Sequence, residues 1–276
     1  MKPNIICCGM LVADLKFQTE SFPEDDQKVF AESFDILPGG PATNAAITIQ
    51  QLGGQAHLLA TIGKCALSDS ILDMISNTGV NTDKVLRKDE SLNVSTVFLE
   101  SNGQRRLVSY KQAVSYKATK HLVEPNAIVL DGHQPQASSE LINRFPKVAT
   151  ILDAGSVNEG TELLFDKVDW LIASTKYALR KTGKSDIQSA LTALIKLNAN
   201  TVITAGKKGC IYSIDGKEGA IPPIKVNCID SNGAGDVFHG AFAYALSEKK
   251  SPLDCLNFAN KIAAKSCESY GVIGAF

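Results

Sequence analysis

One short run constrains this chain more than any other: Ile229-Asp230-Ser231-Asn232-Gly233-Ala234-Gly235-Asp236-Val237-Phe238-His239-Gly240. Upstream, Lys225 to Ile229 alternates and ends apolar, as an entering strand does; downstream, Val237, Ala241, Phe242, Ala245 and Leu246 recur at helical spacing. The glycines therefore stand where a helix begins. Gly233 and Gly235 clear side chains from a turn whose backbone N–H groups have no partner inside the helix, so the amides can close around an anion. Asp236 then has two readings. In the first helical turn a carboxylate complements the helix dipole. Beside an anion hole, the same acceptor-only group can take a proton from a hydroxyl while neighbouring amides hold the phosphoryl group under attack. A dinucleotide-binding turn fits poorly, because Phe238 stands where a third glycine is needed.

Around this run the chain alternates short apolar segments with amphipathic ones. Ile128 to Leu130, Thr150 to Leu152, Trp170 to Ala173 and Thr201 to Thr204 read as short buried parallel strands. They alternate with helices at about Ser138 to Phe145, Ser185 to Leu197 and two near the C-terminus, the pattern of βαβ units in one doubly wound α/β sheet. Leu15 to Thr19, Lys28 to Leu37, Asn93 to Glu100 and Gln104 to Tyr110 are half-polar, alternating segments suited to a small sheet with one face on solvent. Ser101-Asn102-Gly103 supplies a hairpin turn between the last two. With 276 residues, 44% of them hydrophobic, the chain suffices for one large α/β unit, residues 1–276, with a small appendage.

Other function classes find little support. A net charge of −1 gives no electrostatic case for nucleic acid or an anionic membrane, and no apolar run approaches the roughly 20 residues a bilayer span needs. The N-terminus reads as a first strand rather than a signal peptide. Seven cysteines without a C-x-x-C pair fit reduced, packed thiols and a cytoplasmic protein. The four histidines show no metal-ligand spacing, and His239, on the site helix without a triad partner in the sequence, reads as structural.

Further candidates lie at predicted strand ends and helix starts. Asp14 follows the strand that runs into Gly9, near the carboxyl end where open parallel sheets bind ligands, although a solvated loop acid would look the same. Pro38-Gly39-Gly40-Pro41-Ala42-Thr43-Asn44 puts a bare glycine turn before a helix with Pro41 at its first position and Asn44 one turn in. Thr204-Ala205-Gly206-Lys207-Lys208-Gly209 lacks the spacing of a Walker A loop and is either a nucleotide-contacting turn or a plain hairpin connection.

Asp230-Ser231-Asn232-Gly233-Ala234-Gly235-Asp236 resembles the D-T-x-G-A-G-D signature of the ribokinase-like (PfkB-type) carbohydrate kinases, with Ser231 in place of the usual Thr, and Gly39-Gly40-x-x-x-Asn44 resembles that family's G-G-x-x-x-N signature. The resemblance spans nearly the whole chain. It implies a ribokinase-like fold, a three-layer, mostly parallel doubly wound sheet with a small β lid built from about residues 15–37 and 93–111. It implies an ATP-dependent kinase with Mg²⁺ that phosphorylates a primary hydroxyl of a small ketose or pentose. Asp236 would be the general base, Gly233, Ala234 and Gly235 the anion hole, and Asp14, Gly39, Gly40 and Asn44 the sugar contacts. Ser174, Thr204, Gly206, Gly209 and Asn260 would meet the nucleotide, Asp230 would hold a monovalent cation such as K⁺, and the lid would pair two copies. One departure counts against efficient catalysis: where many relatives carry N-x-x-E, this chain has Ser174-Thr175-Lys176-Tyr177 and no glutamate. An adenosine-type nucleoside kinase and a catalytically silent sugar or nucleotide sensor are the alternatives.

Overall fold

The computed structural model describes residues 2–89, 92–100, 105–112, 115–117 and 121–276. Its strands are β1 (Asn4–Cys8), β2 (Val12–Thr19), β3 (Ser33–Gly39), β4 (Gln55–Leu59), β5 (Thr61–Gly63), β6 (Leu86–Lys88), β7 (Val94–Glu100), β8 (Arg105–Tyr110), β9 (Ala127–Leu130), β10 (Ala149–Ala154), β11 (Trp170–Ser174), β12 (Thr201–Thr204), β13 (Cys210–Ile214) and β14 (Lys217–Ile221). Its helices are α1 (Pro41–Gln51), α2 (Ala66–Asn77), α3 (Pro135–Arg144), α4 (Glu159–Leu164), α5 (Thr175–Thr182), α6 (Ile187–Leu194), α7 (Ala234–Ser247) and α8 (Pro252–Ser266).

Eight strands form the main sheet in the order β14-β13-β12-β11-β10-β9-β1-β4, parallel from β12 to β4 and antiparallel at the β13–β14 edge. Successive residues of each central strand face opposite ways, and both sets are apolar. Ile5, Cys7, Val129, Ile151 and Ile172 pack with Ala45, Ile49, Val237 and Phe242 on one face. Ile6, Cys8, Ile128, Leu130, Leu152 and Leu171 pack with Leu141, Leu164, Tyr177 and Leu191 on the other. Two such faces under helices make three layers, the expected doubly wound α/β architecture.

Strand order reverses about β1: β4 lies on one side of it and β9 on the other. At such a switch point the loops leaving neighbouring strands diverge and open a crevice at their carboxyl ends. Asp131, directly after β9, ties this crevice together, accepting from the backbone N–H groups of Met10 (2.8 Å), Ala42 (3.1 Å) and His133 (2.9 Å). Gly9 leaves room for that carboxylate, since a Cβ there would stand 2.0 Å from Asp131 Oδ1.

A second sheet, β3-β2-β7-β8, corresponds to the expected half-polar segments. The middle of β2 packs its Phe17 ring against Phe34 (centroids 4.8 Å apart) and Phe98 (5.7 Å). Strand β3 begins at Ser33, five residues later than its alternation predicts, and the Ser101-Asn102-Gly103 turn lies outside the described residues. The expected strand at Lys225 to Ile229 is not one. Pro222 and Pro223 precede it without N–H groups to offer a ladder, and Ile229, half exposed, donates its amide to the carbonyl of Cys267 at 2.7 Å.

Helices α1 and α7 cross where Gly240 meets Ala45: a Cβ at position 240 would lie 2.6 Å from the Ala45 carbonyl oxygen and 3.0 Å from its Cα. The close approach sets the spacing of the two glycine turns at the helix starts. Gly240→Ala should force the helices apart and lower stability by about 1–3 kcal/mol, measured by urea unfolding, although alanine is the better helix former.

Candidate active site

Helix α7 starts at the glycine turn. Gly233 is its N-cap in the left-handed region (φ 80°), and a Cβ there would crowd Val272 Cγ2 at 3.0 Å and Asn44 Nδ2 at 3.3 Å. Among the described residues the backbone N–H groups of Gly233, Gly235 and Asp236 have no acceptor, while Ala234 leans toward the Ser231 carbonyl at a long 3.4 Å. Of the three residues expected to form an anion hole, Gly233 and Gly235 thus have unpaired amides and Ala234 largely does not, while the Asp236 amide is unpaired as well. Gly235 is exposed and its Cα has open space around it, so an anion can reach this end of the helix.

Asp236 stands in the first turn with its Oδ2 accepting from Asn44 Nδ2 at 2.7 Å. Burial pushes its carboxyl up to about 7, and the nearby Asp153 pushes it the same way; the Asn44 amide and His239 pull it back. A base poised near neutrality is what proton abstraction from an alcohol requires. Asp131 goes the opposite way: burial raises it, but His133 and the amide donors outweigh burial and hold it below the usual carboxylate range. Environment thus divides two neighbouring acids into a fixed anion and a group able to take a proton.

On the other side of the crevice, Asp14 lies in β2 rather than in a loop. Its carboxyl presses on Gly39, where a Cβ would come within 2.5 Å of it, and burial raises it to about 6 against the pull of Lys16 and Lys111. Gly40, φ 102°, is the N-cap of α1 and passes so close to Met10 that a Cβ would meet its carbonyl oxygen at 2.4 Å. Asp14, Gly39, Gly40 and Asn44 therefore converge with Asp236. A cleft of about 460 Å³ runs past Met10 and is lined also by Asn93, Lys111, His133 and Asn158.

Asp230 departs from expectation. Both it and Lys16 are buried, and its Oδ2 is ion-paired with Lys16 Nζ while accepting from the Gly271 amide; its Oδ1 accepts from Asn232. An ammonium already occupies the place a monovalent cation would take on this carboxylate, so the residues here do not fit such an ion. Lys16 went unnoticed in the sequence because nothing in an alternating polar strand signals a partner 214 residues away.

Of the expected nucleotide residues, Ser174 and Thr204 are register partners at the ends of β11 and β12, and Gly209 and Asn260 both lie against the Ile221-Pro222 segment. Ser174 caps α5, its hydroxyl accepting from the Tyr177 amide (3.0 Å) and donating to the Gly155 carbonyl (2.9 Å). Thr204 donates to the Ala173 carbonyl at 3.3 Å, and Asn260 on α8 donates to the Pro222 carbonyl at 2.9 Å. Gly206 (φ 53°) leaves open space, whereas Gly209 is explained by packing, since a Cβ there would overlap the Ile221 carbonyl at 2.0 Å. Among the described residues no group of three His, Cys, Asp or Glu side chains is placed to hold a metal ion, and no helix is long and apolar enough to cross a membrane.

Comparison with known proteins settles the family. Residues 2–275 match the pfkB family carbohydrate kinases. The chain belongs to this family. It is 26% identical to the ribokinase of Bacillus subtilis, covering 98% of this chain and 95% of that one, and 24% identical to the deoxyribokinase of Salmonella typhi, covering 87% and 85%. The structure of Arabidopsis thaliana ribokinase complexed with ribose and ATP superposes with a TM-score of 0.83 at 24% identity, covering 100% of this chain and 96% of that one. The pfkB fold thus accounts for the main sheet and for the smaller one beside it.

Because the folded-state value of Asp236 is raised, the folded protein binds its proton more tightly than the unfolded chain does. Its contribution therefore falls as pH rises from the ordinary carboxylate range through about 7. Asp236→Asn should accordingly stabilise the protein by roughly 1–3 kcal/mol at pH 8 and by much less at pH 4.5, as read from urea unfolding at the two pH values.

Proposed function

We propose that this pfkB-family protein transfers the γ-phosphoryl group of ATP to the primary hydroxyl of a small sugar, with a pentose the favoured substrate class. The observation that carries the reading is the start of α7, where unpaired amides stand beside a carboxylate of raised proton affinity held by Asn44. The names of the relatives, ribokinase and deoxyribokinase, support the substrate class.

In this reading the sugar lies between Asp14, the Gly39-Gly40 turn and Asn44, and its hydroxyl approaches Asp236. The carboxylate takes the proton as the oxygen attacks, and the amides of Gly233, Gly235 and Asp236 stabilise charge on the transferred group. Mg²⁺ carried in with the nucleotide would supply positive charge to offset that of the phosphates, with no carboxylate cluster of the described residues needed to hold it. Asn44 orients the base, and its hydrogen bond favours the ionised form in which Asp236 must begin. The Gly206 turn lies open to the nucleotide. With Lys16 supplying the fixed positive charge on Asp230, the reaction proceeds without a monovalent cation. Strands β2, β3, β7 and β8 close over the sugar and exclude water that would otherwise compete for the phosphoryl group. Phe34, Val108 and Tyr110, exposed on that sheet, support pairing with a second copy.

The departure at Ser174 and Tyr177 favours one other reading, a sensor that binds sugar or nucleotide without turnover, since the Ser174 hydroxyl is consumed as a helix cap and Tyr177 is buried. ADP release measured on ribose, deoxyribose, fructose, tagatose, sulfofructose and adenosine separates the two. Turnover with a pentose is expected, and a ligand-induced thermal shift without ADP release on any of them would establish the sensor. Asp236→Asn should lower kcat by on the order of 100-fold or more; unchanged turnover in that variant would remove the assigned base. Replacing tetramethylammonium by K⁺ at constant ionic strength should leave the wild-type rate unchanged, and strong K⁺ activation would show that Lys16 does not fill the cation's place.

A further inference from the structure

His239, on the inner side of α7, is buried with both ring nitrogens against oxygen atoms. Nδ1 lies 2.6 Å from the Gly235 carbonyl oxygen and 3.2 Å from Asp153 Oδ2, while Nε2 lies 3.1 Å from the Ile172 carbonyl oxygen. A neutral imidazole has one N–H and one bare lone pair, and a carbonyl oxygen can only accept. Either neutral tautomer would therefore turn a lone pair on a backbone carbonyl, at Ile172 in a buried contact and at Gly235 in a part-buried one. Only the doubly protonated ring gives every one of these oxygens a donor. A buried cation needs a counter-charge, and the carboxylate of Asp153, buried at the end of β10, is in contact with it.

We propose that Asp153 and His239 form a buried ion pair that positions and tunes the phosphoryl-transfer site. The proposal rests on the kinase reading above. The pair acts in two ways. The peptide joining Gly235 to Asp236 is planar and trans, so fixing its carbonyl on the histidine side turns the Asp236 N–H the opposite way, where it stands unpaired. The two charges also bear on the Asp236 carboxyl with opposite signs, Asp153 favouring its protonated form and His239 its ionised form. The other groups facing Asp236 are Asn44 from α1, which donates to it, and Asp131 from the end of β9; those facing Asp153 besides His239 are Asp131, His133 and the Gly155 amide. Neither member of the pair is drawn into contact with substrate, so both are positioning residues.

Two measurements on the whole protein test this, and neither needs turnover. In ¹⁵N spectra of the wild-type protein at neutral pH, the His239 ring should show two N–H signals that vanish in His239→Gln; a single ring N–H would overturn the proposal. Carboxyl-carbon NMR follows the titration of Asp236 in variants shown by circular dichroism to be folded. Its midpoint should fall by about one pH unit in Asp153→Asn and rise by about one unit in His239→Gln. A purely structural pair would leave both midpoints in place, and midpoints that stay or move in the same direction overturn the tuning role. Where a sugar is turned over, the acidic limb of kcat/KM should follow the same two shifts. If no sugar is turned over, the kinase reading fails while the spectra still decide the state of the pair.

Discussion

The hydrogen bond from Asn44 to Asp236 joins the first helix to the seventh across 192 residues, and most of the site depends on the two helices meeting closely enough to make it. Both begin in glycine turns at the same end of the sheet, so two sets of helix-terminal amides and two positive dipole ends face one crevice. Gly240 permits the approach by presenting no side chain to Ala45. Were the helices a few ångströms further apart, Asp236 would lose the Asn44 donor, which together with His239 opposes the effect of burial. Packing between helices and the protonation of a carboxylate are here one problem.

Electrostatics at this end of the sheet follow from topology. Asp131 directly follows β9, Asp153 is the last residue but one of β10, and α7 brings a third aspartate beside them. Three acids so placed cannot all remain charged without compensation. His133 contacts Asp131 at 3.2 Å and His239 contacts Asp153 at 3.2 Å, which leaves Asp236 as the acid without a histidine partner of its own. Burial first, and then the neighbouring Asp153, raise its proton affinity.

Much of this could be read in the chain before any coordinates. The glycine turns announce themselves because few residue types tolerate a positive φ or a backbone approach of under 3 Å, and the buried strands because they are apolar on both faces. Less visible were the groups whose role comes from a distant partner. Lys16, Asp131, Asp153 and His239 are ordinary polar residues until the fold supplies Asp230 to the first, the Met10 amide to the second, and the last two to each other. For the two aspartates a signal did exist, since each sits at the carboxyl end of a buried parallel strand, where sheets of this kind open their crevice. The failed strand at Lys225 to Ile229 shows the limit of alternation as evidence. A period of two marks a strand only where a neighbouring edge can receive it, and after Pro222-Pro223 this segment passes instead along the end of α8.

The Lys16–Asp230 pair links the small sheet to the start of α7. Lys16 belongs to the small sheet, and Asp230 to the loop that delivers Gly233 to the start of α7. An ion would be free to exchange with solvent, but an ammonium tethered to β2 arrives only when that strand is in place. Removing Lys16 would leave a buried carboxylate unpaired, a larger penalty than the pair's own net stabilisation. The shape of the glycine turn at the start of α7 is thereby tied to the docking of the small sheet, so that β2 and the loop before α7 share one buried contact.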